Sequence, residues 1–438
     1  MGSREQKQIE VLKEWIAEIA PQLNMDLSIK LWNGDILPLG KDAQKKILIA
    51  VNSPEVIRRL IFSPKLTTLF ELYAEGLLDI EGGTPLEASK LWDHIAIVEF
   101  AKTINKTKLA KRLWPFVMLK GNKLQSSSFS YDNTSDRLID SSNIEELVRF
   151  HYDISNRFFK LFLDPQMVYA SAYFKDKNMK LADAQKAKLD LICKKLRLKE
   201  GERLLDIGCG WGALVCHAAQ NYGVKAHGVT LSKAQYDYAI KKVQRLGLED
   251  KVTIEFRDYK TLDNFASYHK ITQTGIFEYV GIDNHQEYFK HIWKLLKPRG
   301  LYLHEATTRR VTPDLNQFRK KSAYQEVINR YIFPGGELDY IGLSITNLER
   351  QGFEIIDVES MRTHSYLTIK RWLKRLSRHK DEARVEIGLP KTRLWLLYLS
   401  LSAIGFERGT LNVYQTLVYK RRTGLSKLPL TRDDIYCN

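Results

Sequence analysis

The sequence predicts an α/β protein: a doubly wound, Rossmann-like parallel sheet preceded by a small α+β domain. Three observations carry that reading. From about residue 145 onward, strand-length apolar runs alternate with helix-length amphipathic segments, the signature of βαβ units. One of those runs, Leu204-Leu205-Asp206-Ile207, passes directly into the glycine-dense turn Gly208-Cys209-Gly210-Trp211-Gly212, as a buried parallel strand does when it hands over to a helix. Residues 1–100 lack this alternation and carry a hairpin signal instead.

In the N-terminal segment, a helix near Gln8–Ile19 leads to the alternating run Leu27–Trp32 and the turn Asn33-Gly34-Asp35, a pattern that predicts a β-hairpin. Ile47–Val51 reads as a strand, Pro54–Phe62 as a helix, and Asp79–Gly83 as a strand closing before another helix. Residues 101–144 form a basic linker with Lys102, Lys106, Lys108, Lys111, Arg112, Lys120 and Lys123, and with turn-rich Gln125–Ser128 and Asn133–Ser135. Two readings of it stay open: a solvated connector, or a partly helical segment that offers Trp114, Phe116, Val117, Met118 and Leu119 to an anionic lipid surface.

Residues 145–438 form the larger domain. Its expected elements are a helix over Leu181–Leu196, a strand over Arg203–Ile207, a helix over Gly212–Asn221, a strand over Ala226–Leu231 and a helix over Lys233–Arg245. Strands over Val252–Phe256 and Thr272–Phe277, a helix over Glu287–Leu296 and a strand over Gly300–His304 follow. Phe353–Met361 and Asn412–Tyr419 complete the sheet as an antiparallel-looking pair. The insertion over about 305–352 is helical and aromatic (Phe318, Tyr324, Tyr331, Phe333), which suits a lid or a substrate channel. No internal repeat is visible.

Composition narrows the class. At 438 residues the chain is long enough for two domains, and its formal net charge of +16 suits a polyanion, either nucleic acid or an anionic membrane face. Four cysteines, with no Cys-x-x-Cys, argue against disulfides and structural zinc; no metal is expected, and a reducing cytoplasm fits. The charged stretch Arg4–Lys13 is unlike a signal peptide. The apolar stretch Leu394–Phe406 is interrupted and too short to span a bilayer, so it reads as a buried helix. The expected location is cytoplasmic, peripheral to the inner face of the membrane.

The glycine turn alone also fits an ordinary strand-turn-helix. The strands after it shift the balance toward a nucleoside ligand. The second, ending at Val229-Thr230-Leu231, arrives where an adenosine ribose is contacted, and the third ends in Arg257-Asp258-Tyr259, suited to hold adenine by hydrogen bonding and stacking. No Gly-x-x-x-x-Gly-Lys-Ser/Thr loop for a triphosphate is present, which leaves S-adenosylmethionine as the best small-molecule candidate.

Further segments carry a resemblance. His151-Tyr152-Asp153, Asp164–Phe174, Gly275-Ile276-Phe277-Glu278-Tyr279-Val280-Gly281, Leu303-His304, Thr230, Gln235, Tyr331–Gly336 and Trp372 fall in order along the chain. From about His151 to Lys420 the sequence resembles the cyclopropane fatty acid synthase family, with its mycolic acid methyltransferase relatives. The resemblance implies a class I S-adenosylmethionine-dependent methyltransferase fold. The N-terminal module looks like the small domain that many bacterial members carry, associated there with phospholipid engagement and dimer formation. Unsaturated phospholipid at a membrane surface and a homodimer are therefore the expected partners.

The resemblance also implies a reaction. An olefin in mid-acyl-chain attacks the electrophilic methyl of the sulfonium, and the resulting carbocation needs aromatic faces and a dry channel. Tyr169, Tyr173, Phe174, Phe277, Tyr279 and Phe333 are candidates to supply both. A base then removes a proton from the added methyl, and family members hold a bicarbonate ion for that step. Carried over residue by residue, Glu278 matches the family's Glu and His304 its His, but Ser171 stands for its Cys and Ser365 for its Tyr. Tyr366 is adjacent and available to substitute. Glu305 follows His304, and a second carboxylate beside Glu278 disfavours a bound anion, so the sequence leaves bicarbonate open. Glu278 or Glu305 is the alternative base, although Glu305 alternates with His304 along the strand and also reads as a group outside the site.

For the cofactor, the resemblance assigns Tyr169 and Ala170 to the methionine end, Gly208 and Gly210, after Asp206, to the carboxypropyl group and ribose, Thr230 and Gln235 to the ribose, and Asp258 and Tyr259 to the adenine. The expected function is methylene transfer to the double bond of an unsaturated phospholipid acyl chain, giving a cyclopropane fatty acyl chain. The alternatives are C-methylation without ring closure and a non-catalytic lipid-binding relative. An RNA methyltransferase would need a catalytic cysteine or an Asn/Asp-Pro-Pro-Tyr segment, and neither is present, so no nucleic-acid partner is expected.

Overall fold

The computed structural model describes residues 3–91, 103, 105–117 and 144–436, and the chain divides into two compact units. Both contain non-contiguous segments. One comprises Met1–Asp132, Lys321–Ile332 and Lys380–Ile404, and the other Asn133–Lys320, Phe333–His379 and Gly405–Asn438.

The first unit holds a four-stranded sheet in the order β2-β1-β3-β4, with β1 at Ser28–Lys30, β2 at Ile36–Pro38, β3 at Leu48–Val51 and β4 at Leu78–Glu81. The expected hairpin is β1–β2, turned where Asn33 Oδ1 accepts from the Asp35 amide and Gly34 adopts a φ of 91°. Its core joins Ile9, Leu12 and Ile16 of the first helix to Leu113 and Phe116. The described part of the basic linker is thus helical, over Lys106–Arg112 and Trp114–Val117, and tied into this core; Lys102, Met118–Lys123 and both turn-rich stretches lie outside the described residues. The helix Ala323–Tyr331 packs on the helix Leu66–Ala74, with Tyr331 donating to Glu71 Oε1 at 2.7 Å. Arg393 holds Asp79 Oδ1 at 2.9 Å and the Leu78 carbonyl at 3.0 Å.

The second unit is built on a seven-stranded sheet in the order β10-β11-β9-β8-β5-β6-β7. Its strands are β5 (Arg203–Ile207), β6 (Lys225–Thr230), β7 (Val252–Phe256), β8 (Tyr268–Thr274), β9 (Leu296–Arg309), β10 (Phe353–Ser360) and β11 (Leu411–Lys420). The strands from β9 through β7 run parallel, while β11 is antiparallel to both its neighbours. Leu204, Leu205 and Ile207 are buried because separate clusters cover the two faces of the sheet. The helices Leu181–Lys195 and Ala213–Tyr222 pack on one face, and His285–Leu295 and Ile341–Arg350 on the other. The chain runs outward from β5 to β7 and returns to β8 on the other side of β5. That reversal opens a crevice at the carboxyl ends of β5 and β8.

The ends of β8 and β9 are among the strand boundaries that differ from expectation. β8 ends at Thr274, before the expected Phe277, because Gly275 takes a φ of 75° and Phe277–Tyr279 coil into a single 3₁₀ turn. β9 continues past His304 because β11 pairs with it as far as Arg309, which places Glu305 inside the strand. No described helix is long and apolar enough to cross a membrane, and Cys193, Cys209 and Cys216 are buried and free.

Lys195, fully buried at the end of its helix, joins that helix to the sheet by donating to Gln415 Oε1 at 2.9 Å and Glu359 Oε2 at 2.5 Å. Removing the cation strands these acceptors. Lys195→Met is expected to cost about 3 kcal/mol, read as a lower urea midpoint with an unchanged slope.

Candidate active site

The crevice is floored by the turn after β5. The Gly208 and Cys209 amides both donate to the Val229 carbonyl, at 2.9 and 3.0 Å, which folds the turn back over the end of β6. Gly208 has a φ of 75°, and a Cβ there would lie 2.3 Å from Ile276 Cγ2, so only glycine lets the loops after β5 and β8 come this close. The next helix starts at Gly212, also left-handed at 76°. Tyr169, Ala170, Asp206, Gly208, Gly210, Thr230, Gln235 and Tyr259 all line the resulting pocket. Thr230 donates to Gln235 Oε1 at 2.9 Å, and both side chains are buried. Arg257 is in the wall but Asp258 is not: its carboxylate accepts from the Lys260 amide at 2.9 Å and caps the short turn that presents Tyr259.

Asp206 is buried, and its Oδ1 has no hydrogen-bond partner. Loss of water pushes its carboxyl up to about 7, only partly opposed by the charge of Lys188. A close backbone cradle and an unsatisfied carboxylate fit the methionine end of S-adenosylmethionine, whose amino group and sulfonium are cationic.

An aromatic group stands beside the pocket. Tyr152 lies 6.1 Å from Tyr169 and 6.4 Å from Tyr279, Tyr279 lies 6.1 Å from Phe333, and His151 stacks on Phe333 at 3.9 Å. Phe277 is buried below, with its ring against His285 and His304. Tyr173 and Phe174 belong to a different group, stacked on His364.

Glu278 sits on the 3₁₀ turn after β8, where its Oε1 accepts from the Thr307 amide at 2.9 Å. Its Oε2 is shut off from solvent and has no partner. Burial raises its proton affinity; the Thr307 bond opposes this and the Glu305 charge adds to it. His304 receives the Gln273 amide on Nδ1 at 2.9 Å, with the Tyr302 hydroxyl also 3.0 Å from that atom, and its Nε2 is buried without a partner. Burial lowers its pKa to about 3, so the imidazole is neutral at ordinary pH.

Ser171 and Ser365 meet, with Ser365 Oγ 3.1 Å from Ser171 Oγ and 2.9 Å from the Met361 carbonyl. Tyr366 does not replace the missing tyrosine: it sits elsewhere on the helix Arg362–Arg378, its hydroxyl on Glu407 at 3.0 Å. Glu305 projects to the other side of β9 from His304, and its Oε2 accepts from Gln415 at 2.7 Å. Two hydroxyls turned on each other, a neutral imidazole and the Glu278 carboxylate offer no cation to a bound bicarbonate, which they do not fit.

Sequence reasoning passed over Lys188, which lines the pocket beside Asp206. Its signal was present as a lysine on the buried face of Leu181–Lys195, one turn after Gln185, which holds the Val168 and Ala170 carbonyls.

Comparison with known proteins gives a consistent set of likenesses. The profile of the mycolic acid cyclopropane synthetase family matches residues 140–416. A probable fatty acid methyltransferase of Pseudomonas putida is 32% identical over 425 residues, 96% of this chain and 100% of that protein. A probable fatty acid methyltransferase of Mycobacterium tuberculosis is 36% identical over 275 residues, 63% of this chain and 62% of that one. Among solved structures, the cyclopropane synthase MmaA2 of Mycobacterium tuberculosis matches with a TM-score of 0.58 and 31% identity, over 66% of this chain and 100% of that chain. The mycolic acid cyclopropane synthase CmaA1 complexed with SAH and CTAB matches with a TM-score of 0.59 and 30% identity, over 63% of this chain and 98% of that chain.

Two outcomes follow for cofactor binding. Gly208→Ala, which adds strain and a clash with Ile276, should weaken S-adenosylhomocysteine binding in calorimetry by roughly tenfold or more. Because Asp206 is largely protonated below its raised pKa, S-adenosylmethionine affinity should rise between about pH 6 and about pH 8 with release of a proton. Asp206→Asn should flatten that dependence.

Proposed function

Because this chain belongs to the mycolic acid cyclopropane synthetase family and is an S-adenosylmethionine-dependent methyltransferase of lipid acyl chains, we propose that it acts on the double bond of an unsaturated phospholipid acyl chain and forms a cyclopropane. The observation that carries this reading is Glu278: a carboxylate beside the pocket, anchored by one oxygen to Thr307 and holding the other sealed and unbonded. When bound, S-adenosylmethionine supplies an electrophilic methyl group to the alkene.

The chain's own residues do the rest. The faces of Tyr152, Tyr169, Tyr279 and Phe333 stabilise positive charge on the acyl chain and keep water from quenching it. Glu278 takes the proton through Oε2, and its raised proton affinity makes it a stronger base than an exposed carboxylate. Loss of the proton from the new methyl closes the ring. A second reading, in which a neighbouring chain carbon loses it and a methyl-branched alkene results, is favoured by the Ser171–Ser365 pair, which replaces the resembling family's cysteine and tyrosine at the base. The surplus of 68 Lys and Arg over 52 Asp and Glu supports an anionic phospholipid surface as the place where the substrate is met.

Glu278→Gln should lower turnover by about 10²–10⁴-fold while leaving S-adenosylmethionine binding unchanged; full activity in that variant would remove the assignment. Incubation with vesicles of monounsaturated phospholipid, followed by proton NMR of the released fatty acids, reads the product. Upfield ring-methylene signals support the cyclopropane, and a retained vinyl proton with a new methyl supports the second reading.

A further inference from the structure

The second unit contains several lysines that are almost wholly withdrawn from water, and their partners differ in kind. Lys195 is held by Gln415 and Glu359. Lys242 donates to the Gln166 carbonyl at 3.1 Å, Lys270 lies 3.8 Å from Glu202, and Lys420 donates to the Trp293 and Leu296 carbonyls. Lys188 stands apart. It is 2% exposed, among the largest fully buried side chains of the protein, yet it makes no hydrogen bond or ion pair with any described residue. Its charge is felt by Asp206, with which it forms no ion pair.

Burying an unpaired ammonium is costly, and such groups are kept where something else completes them. Lys188 lies in the pocket wall, so whatever completes it enters from the pocket. Asp206 lines the same wall with an unpaired Oδ1. One buried cation and one buried carboxylate, each short of a partner and facing one cavity, are complementary to a zwitterion. The α-amino-acid end of S-adenosylmethionine is such a group, with an ammonium for Asp206 and a carboxylate for Lys188.

We propose that Lys188 recognises the α-carboxylate of S-adenosylmethionine and so selects an intact amino-acid end on the cofactor. The proposal rests on S-adenosylmethionine as the cofactor and is independent of the acyl substrate and product. Gln185, one turn earlier on the same helix, fixes the Val168 and Ala170 carbonyls, which holds the methionine-end wall in register with Lys188.

The test is calorimetric and needs no lipid. Affinities of the full chain, of Lys188→Met and of Lys188→Arg are measured for S-adenosylmethionine and for decarboxylated S-adenosylmethionine, which keeps the amine and the sulfonium. The unaltered protein should prefer the intact cofactor by roughly 30-fold, the strength of a charged hydrogen bond. Lys188→Met should lose that preference while binding the decarboxylated form within about threefold of the unaltered protein, and Lys188→Arg should keep most of it. Equal losses for both ligands in Lys188→Met would make Lys188 a structural residue and overturn the proposal. If Lys188→Met fails to fold, the unaltered protein decides alone: equal affinity for the two ligands overturns the proposal.

Discussion

Everything functional in the catalytic unit depends on how closely two loops approach at the middle of the sheet. The loops after β5 and β8 meet with Gly208 against Ile276, at a separation that leaves no room for a side chain on Gly208. That contact sets the floor of the pocket. It carries Asp206 at the end of β5 below the pocket and Glu278, two residues beyond Ile276, beside it. Asp206 and Glu278 are thereby tied to the ends of neighbouring parallel strands, whose spacing the hydrogen-bond ladder enforces. The chemistry inherits its geometry from sheet topology, and the loops only finish it.

The electrostatics of the site follow from the same burial. Asp206 in the pocket and Glu278 beside it are held at high proton affinity by lost hydration, while the histidine on β9 is driven to its neutral form. A neutral imidazole donates a hydrogen bond without attracting an anion.

Much of this was legible in the sequence, and the misses have physical causes. The glycine turn, the alternation of strands and helices and the antiparallel closing pair follow from local rules, because glycine and apolar periodicity are properties of single segments. The end of β8 was misplaced because Ile276 and Phe277 look like strand residues; the left-handed Gly275 overrides them. The reach of β9 depends on its partner β11, more than a hundred residues later, and no local signal reports it. Tyr366 looked like a substitute for the missing tyrosine because adjacency in sequence resembles adjacency in space; on a helix, successive residues face different directions. Lys188 escaped because a lysine in an amphipathic helix ordinarily lies on the wet face.

The division of the chain has a consequence for the order in which the protein is made. Glu71 awaits Tyr331, and Asp79 awaits Arg393. The first unit therefore cannot complete its contacts until Arg393 has been made. The central strands of the catalytic unit, which lie within Arg203–Arg309, are available well before that. In biosynthetic terms, each unit waits for a late segment, the first for Arg393 and the second for β11.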